Sequence, residues 1–185
     1  MICWDRVGDH LVLGFFDQAE VDRLRGYLVG LREVLDARFA EYTTDCPPGK
    51  KLGVAYPLAE TGDRRLRAIL RRRVGEVGPW REPEVFRPLH KAITRVLATL
   101  PDKGGLVQLH SIDCAGAWSR SLTDLRVAMA ASAREAEPVL ASRTRFTTRW
   151  LKSVVRTLDA TATKEVQPVP QDLVDSINQV RTYWI

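Results

Sequence analysis

The sequence predicts a mostly α fold: about five amphipathic helices packed around one core, with a small β element made of an N-terminal hairpin and a short strand near residues 106–109. Three observations carry that reading. Apolar residues recur at spacings of three and four in five separate stretches, which lines one face of a helix each time. Asp17 and Ser111 stand as N-caps before two of the longest stretches. A short apolar run precedes each of those caps, giving the order strand, cap, helix twice.

Taken in order, Ile2–Val7 and His10–Phe15 flank the turn dipeptide Gly8-Asp9 and read as a hairpin. Asp17 with Glu20 three residues on forms a capping box. The first helix follows, its stripe being Val21, Leu24, Leu28, Leu31, Leu35 and Phe39; Gly26 and Gly30 weaken it only slightly. Residues 43–61 carry Pro47, Pro48, Gly49, Gly53 and Pro57, which break both helical and strand periodicity and predict a long loop. Asp63 caps a second helix over about 64–77, with Leu66, Ile69, Leu70 and Val74 as a narrow apolar edge, stopped by Gly78 and Pro79.

A third helix, entered with Pro83 or Pro88 in its first turn, carries Leu89, Ile93, Val96, Leu97 and Leu100. Pro101 and Gly104-Gly105 end it. The strand Leu106–Leu109 leads to Ser111 and a fourth helix with Trp118, Leu122, Leu125 and Met129, reaching about Glu135. The fifth runs from about Thr144 to Thr163 with Phe146, Trp150, Val154 and Leu158 in line. Residues 1–163 therefore read as one helical domain, and 164–185 as a linker and amphipathic C-terminal tail in which Leu173, Ile177, Val180 and Trp184 share a face. At an offset of 94 residues the first strand-cap-helix unit falls on the second, Val12, Leu13, Phe15 and Asp17 matching Leu106, Val107, Leu109 and Ser111. A duplicated unit and the ordinary likeness of two amphipathic units both remain open.

With 45% apolar and 28% charged residues the composition is that of a globular domain, and no stretch approaches the roughly 20 apolar residues of a membrane span. Residues 1–10 have no apolar core of a secretory signal, so a cytoplasmic location is expected. Cys3, Cys46 and Cys114 match neither a CxxC knuckle nor a disulfide framework. His10, His90 and His110 have no metal-ligand spacing, so no metal site is expected. No GxSxG elbow, phosphate loop or dinucleotide fingerprint occurs, so neither an enzyme nor a cofactor is expected.

The net charge is +5, from 28 basic and 23 acidic residues. Its densest patch is Arg64, Arg65, Arg67, Arg71, Arg72 and Arg73 on the second helix, candidates for binding a partner. At 3.6 residues per turn they spread round the cylinder, so at most roughly three or four meet any one surface. A solvated surface, an acidic protein and nucleic acid all fit that pattern. Contact with three DNA phosphates would give a log-log salt slope of about −2.7. Neither aromatic interleaving nor helix-turn-helix spacing accompanies the arginines. Asp124 and Arg126, two apart on the fourth helix, face differently; Arg120 and Asp124 at i,i+4 can pair, and the usual role is salt bridging, with partner contact as the alternative. Cys114 falls in the first turn after Ser111, where the helix dipole favours thiolate while Asp113 opposes it. It is the redox candidate, its ordinary reading being a small packing residue.

The stretch Leu97-Ala98-Thr99-Leu100-Pro101-Asp102, the Gly104-Gly105 pair, the strand Leu106-Val107-Gln108-Leu109, then Ala117-Trp118 and Leu122-Thr123-Asp124-Leu125-Arg126-Val127-Ala128 resemble the actinobacterial AosR-like family. Thr123 stands where that family has asparagine. Trp150-Leu151 and the N-terminal hairpin extend the likeness over about Ile2 to Leu158. The resemblance implies a mostly helical cytosolic regulator of transcription under oxidative stress, acting through protein contacts with a sigma factor or RNA polymerase. The family's redox-sensing form carries a CxxxC pair near its N-terminus, whereas here Val7 stands four residues after Cys3. The expected function is thus a non-enzymatic, transcription-associated protein-binding regulator. The alternatives are a DNA-binding module acting through the arginine helix and an adaptor in regulated proteolysis. The tail is an addition to the family pattern that docks on the core or completes a homodimer.

Overall fold

A computed structural model describes residues 4–8, 11–43, 55–75, 78–133 and 137–163. Two strands, β1 (Trp4–Val7) and β2 (Leu11–Phe16), form the expected hairpin and lead into α1 (Gln18–Ala40). The capping box is present: Asp17 accepts from the Glu20 N–H at 2.7 Å and Glu20 accepts from the Asp17 N–H at 3.1 Å. After α1 come β3 (Tyr42–Thr43), β4 (Tyr56–Pro57), α2 (Arg64–Val74), a 3-10 turn (Pro79–Arg81), α3 (Glu82–Thr99), β5 (Gly105–Leu109), α4 (Ile112–Ser132) and α5 (Pro138–Ala162). The fold is mostly α with a small antiparallel β element, as the periodicity predicts.

The sheet order is β1-β2-β5, both pairings antiparallel. Its inner face carries Trp4, Val12, Phe16, Val107 and Leu109, all buried. Trp4 packs edge-on against Phe16 and Trp118, with ring centroids 5.6 and 5.7 Å away. Gly14 faces Trp4 across the ladder, and a Cβ there would stand 2.5 Å from the indole ring, so only glycine fits beneath it. Helix α4 lies at the centre and touches the other four. Ser111 caps it by accepting from the Cys114 N–H at 3.1 Å, and Trp118 ties it to α3 by donating to Thr99 Oγ1 at 2.8 Å.

Several boundaries differ from the expectation. Helix α5 begins six residues early because Pro138 sits at N1, where its missing N–H costs nothing. Its buried line is Thr147, Leu151, Val154 and Leu158; Val154 and Leu158 are as expected, while Phe146 is 65% exposed and Trp150 half-buried, because the inward positions there belong to Thr147 and Leu151. Helix α2 stops at Val74, before Gly75 in the left-handed region (φ 73°). Pro83, not Pro88, opens α3. The ends of the 43–61 segment pair as β3 and β4, while residues 44–54 lie outside the described residues, as do Cys3, Cys46, His10 and the tail 164–185.

The 94-residue echo holds in the helices and fails in the strands. Leu24, Leu28, Leu31 and Leu35 match Trp118, Leu122, Leu125 and Met129, all buried. In the strands, buried Val12 falls on exposed Leu106, because His110 adds one residue between β5 and its cap. A one-residue slip turns every strand side chain to the other face. The strands therefore match at an offset of 93.

At the last turn of α1 the inward position belongs to Arg38, 6% exposed, rather than to an apolar residue. Arg38 Nε and Nη2 donate to the two Glu82 carboxylate oxygens at 2.8 and 3.1 Å, and further bonds reach Glu41 and the Ala59 carbonyl. Glu82, fully buried at the start of α3, also accepts from the Thr61 N–H at 3.1 Å. Burial works against the Arg38 charge, yet the bonds to Glu82 and Glu41 outweigh it and raise its pKa. Burial, reinforced by the Glu82 charge, pushes the Tyr42 hydroxyl up as well. Glu82→Ala would leave the guanidinium buried against an empty partner. Urea unfolding is expected to show a loss of about 3–5 kcal/mol, whereas Glu84→Ala on the exposed side should stay within about 0.5 kcal/mol.

Candidate protein-interaction groove

The arginine helix is largely committed within the molecule. Asp63 caps α2 by accepting from the Arg65 and Leu66 N–H groups at 2.7 and 3.3 Å, and the Arg65 guanidinium closes on it at 2.7 Å. Burial raises the Asp63 pKa, but these donors outweigh it and hold the carboxyl below its usual value. Arg67 donates to the Gly62 carbonyl at 3.3 Å. Arg72 and Arg73 reach across to α4, where Asp124 is 1% exposed. Arg73 Nη2 and Nε donate to its two oxygens at 2.7 and 3.2 Å, and Arg72 Nη1 at 3.3 Å.

Asp124 thus pairs with Arg72 and Arg73, not with Arg120, which stands exposed one turn away on the same helix. Its burial leaves no surface for a partner to touch. Arg126 is half-buried on another face of α4, outside this cluster. Arg64 and Arg71 are exposed, and Arg71 with Arg67 lines a hollow of about 430 Å³ above Thr61 and Glu82. Cys114 is half-buried at the start of α4 and packs against the core. The six arginines therefore do not act as one patch: two neutralise a core carboxylate and one closes a cap.

A different surface is open. Gly26 and Gly30 lie one turn apart on α1, and a Cβ at either would meet nothing within 4 Å. Neither glycine is required by packing or by backbone conformation, although each costs a helix interior about 1 kcal/mol relative to alanine. They line a hollow of about 230 Å³ with Tyr27, Leu31, Leu125 and Met129, and with Arg65 of α2 at its edge. A second hollow, about 370 Å³, adjoins it through Tyr27 and is walled by Arg23, Arg143, Phe146 and Thr147. Together they make a groove between α1, α4 and the first turns of α5. Val139, Leu140 and Phe146 leave 64, 52 and 65% of their surface exposed in those turns.

The floor is apolar and the wall residues Arg23 and Arg143 are cationic. The Arg23 guanidinium stacks 5.9 Å from the Trp150 ring centroid, which holds one cation in place. Sequence reading sees the two glycines only as a weakness in a helix. The available signal was their i,i+4 spacing, which puts both on one side of α1.

The commitment of Arg72 and Arg73 has a measurable consequence. Arg73→Glu places a second negative charge against a carboxylate that cannot reach water, and is expected to destabilise by about 3 kcal/mol or more. In a chain of this size that lowers the melting midpoint by roughly 6–12 °C. Arg71→Glu, on the exposed side of the same helix, should leave the midpoint within about 2 °C. Equal shifts for the two variants would show that Asp124 does not depend on α2.

A family model matches residues 1–158 of the chain, that of a domain of unknown function (DUF2017). No curated protein and no solved structure matches it.

Proposed function

The chain belongs to that family, DUF2017, and we propose that it is a non-enzymatic, transcription-associated regulator that works by binding another protein. The observation that carries this reading is the groove beside Gly26 and Gly30, with an apolar floor and arginines on its wall. Its occupant is an acidic amphipathic helix, which lays apolar residues against Tyr27, Phe146 and the Gly26–Gly30 side of α1 and carboxylates toward Arg23 and Arg143. The net charge of +5 favours encounter with an acidic partner. The likeness of Leu97–Ala128 to the AosR-like family supports a cytoplasmic setting, a sigma factor or RNA polymerase subunit as the partner, and oxidative stress as the occasion.

Direct DNA binding by α2 is the weaker reading, because Arg72 and Arg73 give their charge to Asp124 and Arg65 to Asp63. An adaptor role in regulated proteolysis would use the same groove for a protease or chaperone subunit. Redox control, if it operates in the described residues, rests on Cys114. It requires that thiol to be alkylated in the native protein; protection until unfolding would assign it to packing.

Gly30→Leu tests the groove without weakening the fold, since the side chain enters open space and leucine is the better helix former. The melting midpoint should rise by roughly 2–4 °C, about 1 kcal/mol of helix propensity. Capture of sigma factor or polymerase subunits from nuclease-treated host lysate should be lost. Retained capture by this variant would overturn the groove as the binding site. Recovery of protease components by the native chain, or loss of all partners after nuclease, would overturn the transcription reading in favour of the adaptor or the DNA-binding module.

A further inference from the structure

The outer face of the three-stranded sheet is apolar, contrary to the usual polar exterior of an antiparallel sheet packed on one side. The residues alternating with the buried set are Asp5 and Val7 on β1, Leu11, Leu13 and Phe15 on β2, and Leu106 and Gln108 on β5. Five of these seven are apolar. Val7, Phe15 and Leu106 are 51, 61 and 48% exposed, and Phe15 and Leu106 are direct cross-strand partners. A continuous patch of this kind marks a contact surface.

We propose that this face is covered by the chain's own residues 171–185, packed across β2 as an amphipathic helix. The place where the described chain stops is the first argument. The end of α5 is fastened to β1: Arg6 donates to the Ala162 carbonyl at 3.2 Å and Thr161 donates to the Trp4 carbonyl at 3.5 Å. Residues 164–185 therefore start beside the edge strand of this sheet. Length is the second argument. The seven residues 164–170 reach up to about 23 Å when extended, against strands about 4.8 Å apart. A helix over 171–185 would be about 22 Å long, close to the roughly 20 Å of a six-residue strand.

Pattern is the third argument. Leu173, Ile177, Val180 and Trp184 recur at four, three and four, giving one apolar face of matching width. In sequence, Pro168 and Pro170 disfavour helix in the residues before them, which places the break in the pattern ahead of Gln171. The groove at the other end of α5 is a poorer host for the same segment. It is lined by residues near Arg143 and Phe146, about 25–30 Å back along the helix from Ala162.

The test uses the full chain with methyl-labelled leucine, isoleucine and valine. Nuclear Overhauser contacts are expected from the Trp184 ring and the Ile177 methyls to the methyls of Leu13 and Leu106. Ile177→Asp should abolish them, shift the Leu13 and Leu106 methyl resonances, and increase binding of an apolar dye. Phe15→Ser should reproduce the dye and resonance changes, and combining the two should add little further. Unchanged sheet methyls in Ile177→Asp would overturn the proposal, as would contacts from Trp184 to Tyr27 and Met129 instead. Contacts that appear only as protein concentration rises would overturn it in favour of a second copy covering the face.

Discussion

A carboxylate with 1% of its surface exposed cannot stand ionised in a helical core alone, and Asp124 stands there in the middle of α4. Arg72 and Arg73 supply three hydrogen bonds to its two oxygens, and in doing so they fix how α2 lies on α4. Leu66, Ile69 and Leu70 then point inward from α2, whereas Arg71 remains outside. A leucine at 124 would pack at least as well by the usual comparison of buried ion pairs with apolar isosteres. What the charged residue adds is register: only one placement of α2 brings both guanidiniums to it.

Arg38 and Glu82 repeat the device at the start of α3. They join the last turn of α1 to the first turn of α3, and their spare bonds hold the Ala59–Thr61 strand of chain between them. Apolar burial supplies the driving force through Trp118, Phe16, Phe86 and the leucines of α1 and α4. The two ion-pair clusters select among the ways those helices could pack. Because α1 is set by its leucine stripe and by Arg38, the Gly26–Gly30 side is left without a neighbour, and the groove follows from that placement.

Most elements were legible because the signals are local. Periodicity located the five helices, and Asp17 and Ser111 located the starts of α1 and α4 to the residue. The site was much less legible. Arg38 and Glu82 are 44 positions apart, so no window of sequence relates them. Asp124 did leave a trace, for Ser121, Asp124 and Ala128 form a line beside Leu122, Leu125 and Met129, so the carboxylate lay at a core-facing spacing. The salt-bridging role expected of it is an inter-helix one, and its partners, 51 and 52 positions back on α2, are what no local window shows. A groove has still less signature, being space that no residue fills. The strand echo shows the same limit: one inserted residue, His110, reverses the face while leaving the pattern of residue types nearly unchanged.

The distribution of arginine separates recognition from architecture. Lysine would serve poorly at Asp124 or Glu82, because each carboxylate is met by a fork of donors that one ammonium cannot reproduce. A helix with six arginines is therefore not evidence of an equally basic surface, since Arg72 and Arg73, although exposed, are paired with Asp124 and Arg65 with Asp63. Those on the groove wall are Arg23 and Arg143, from α1 and α5, with Arg65 of α2 at its edge. They lie beside exposed Phe146 and the open Gly26–Gly30 side of α1, a combination that selects for a partner with both carboxylates and apolar side chains. A nucleic-acid backbone offers anionic phosphates for the arginines but no apolar side chains for the rest of the groove, and that difference in chemistry, more than total charge, favours a protein.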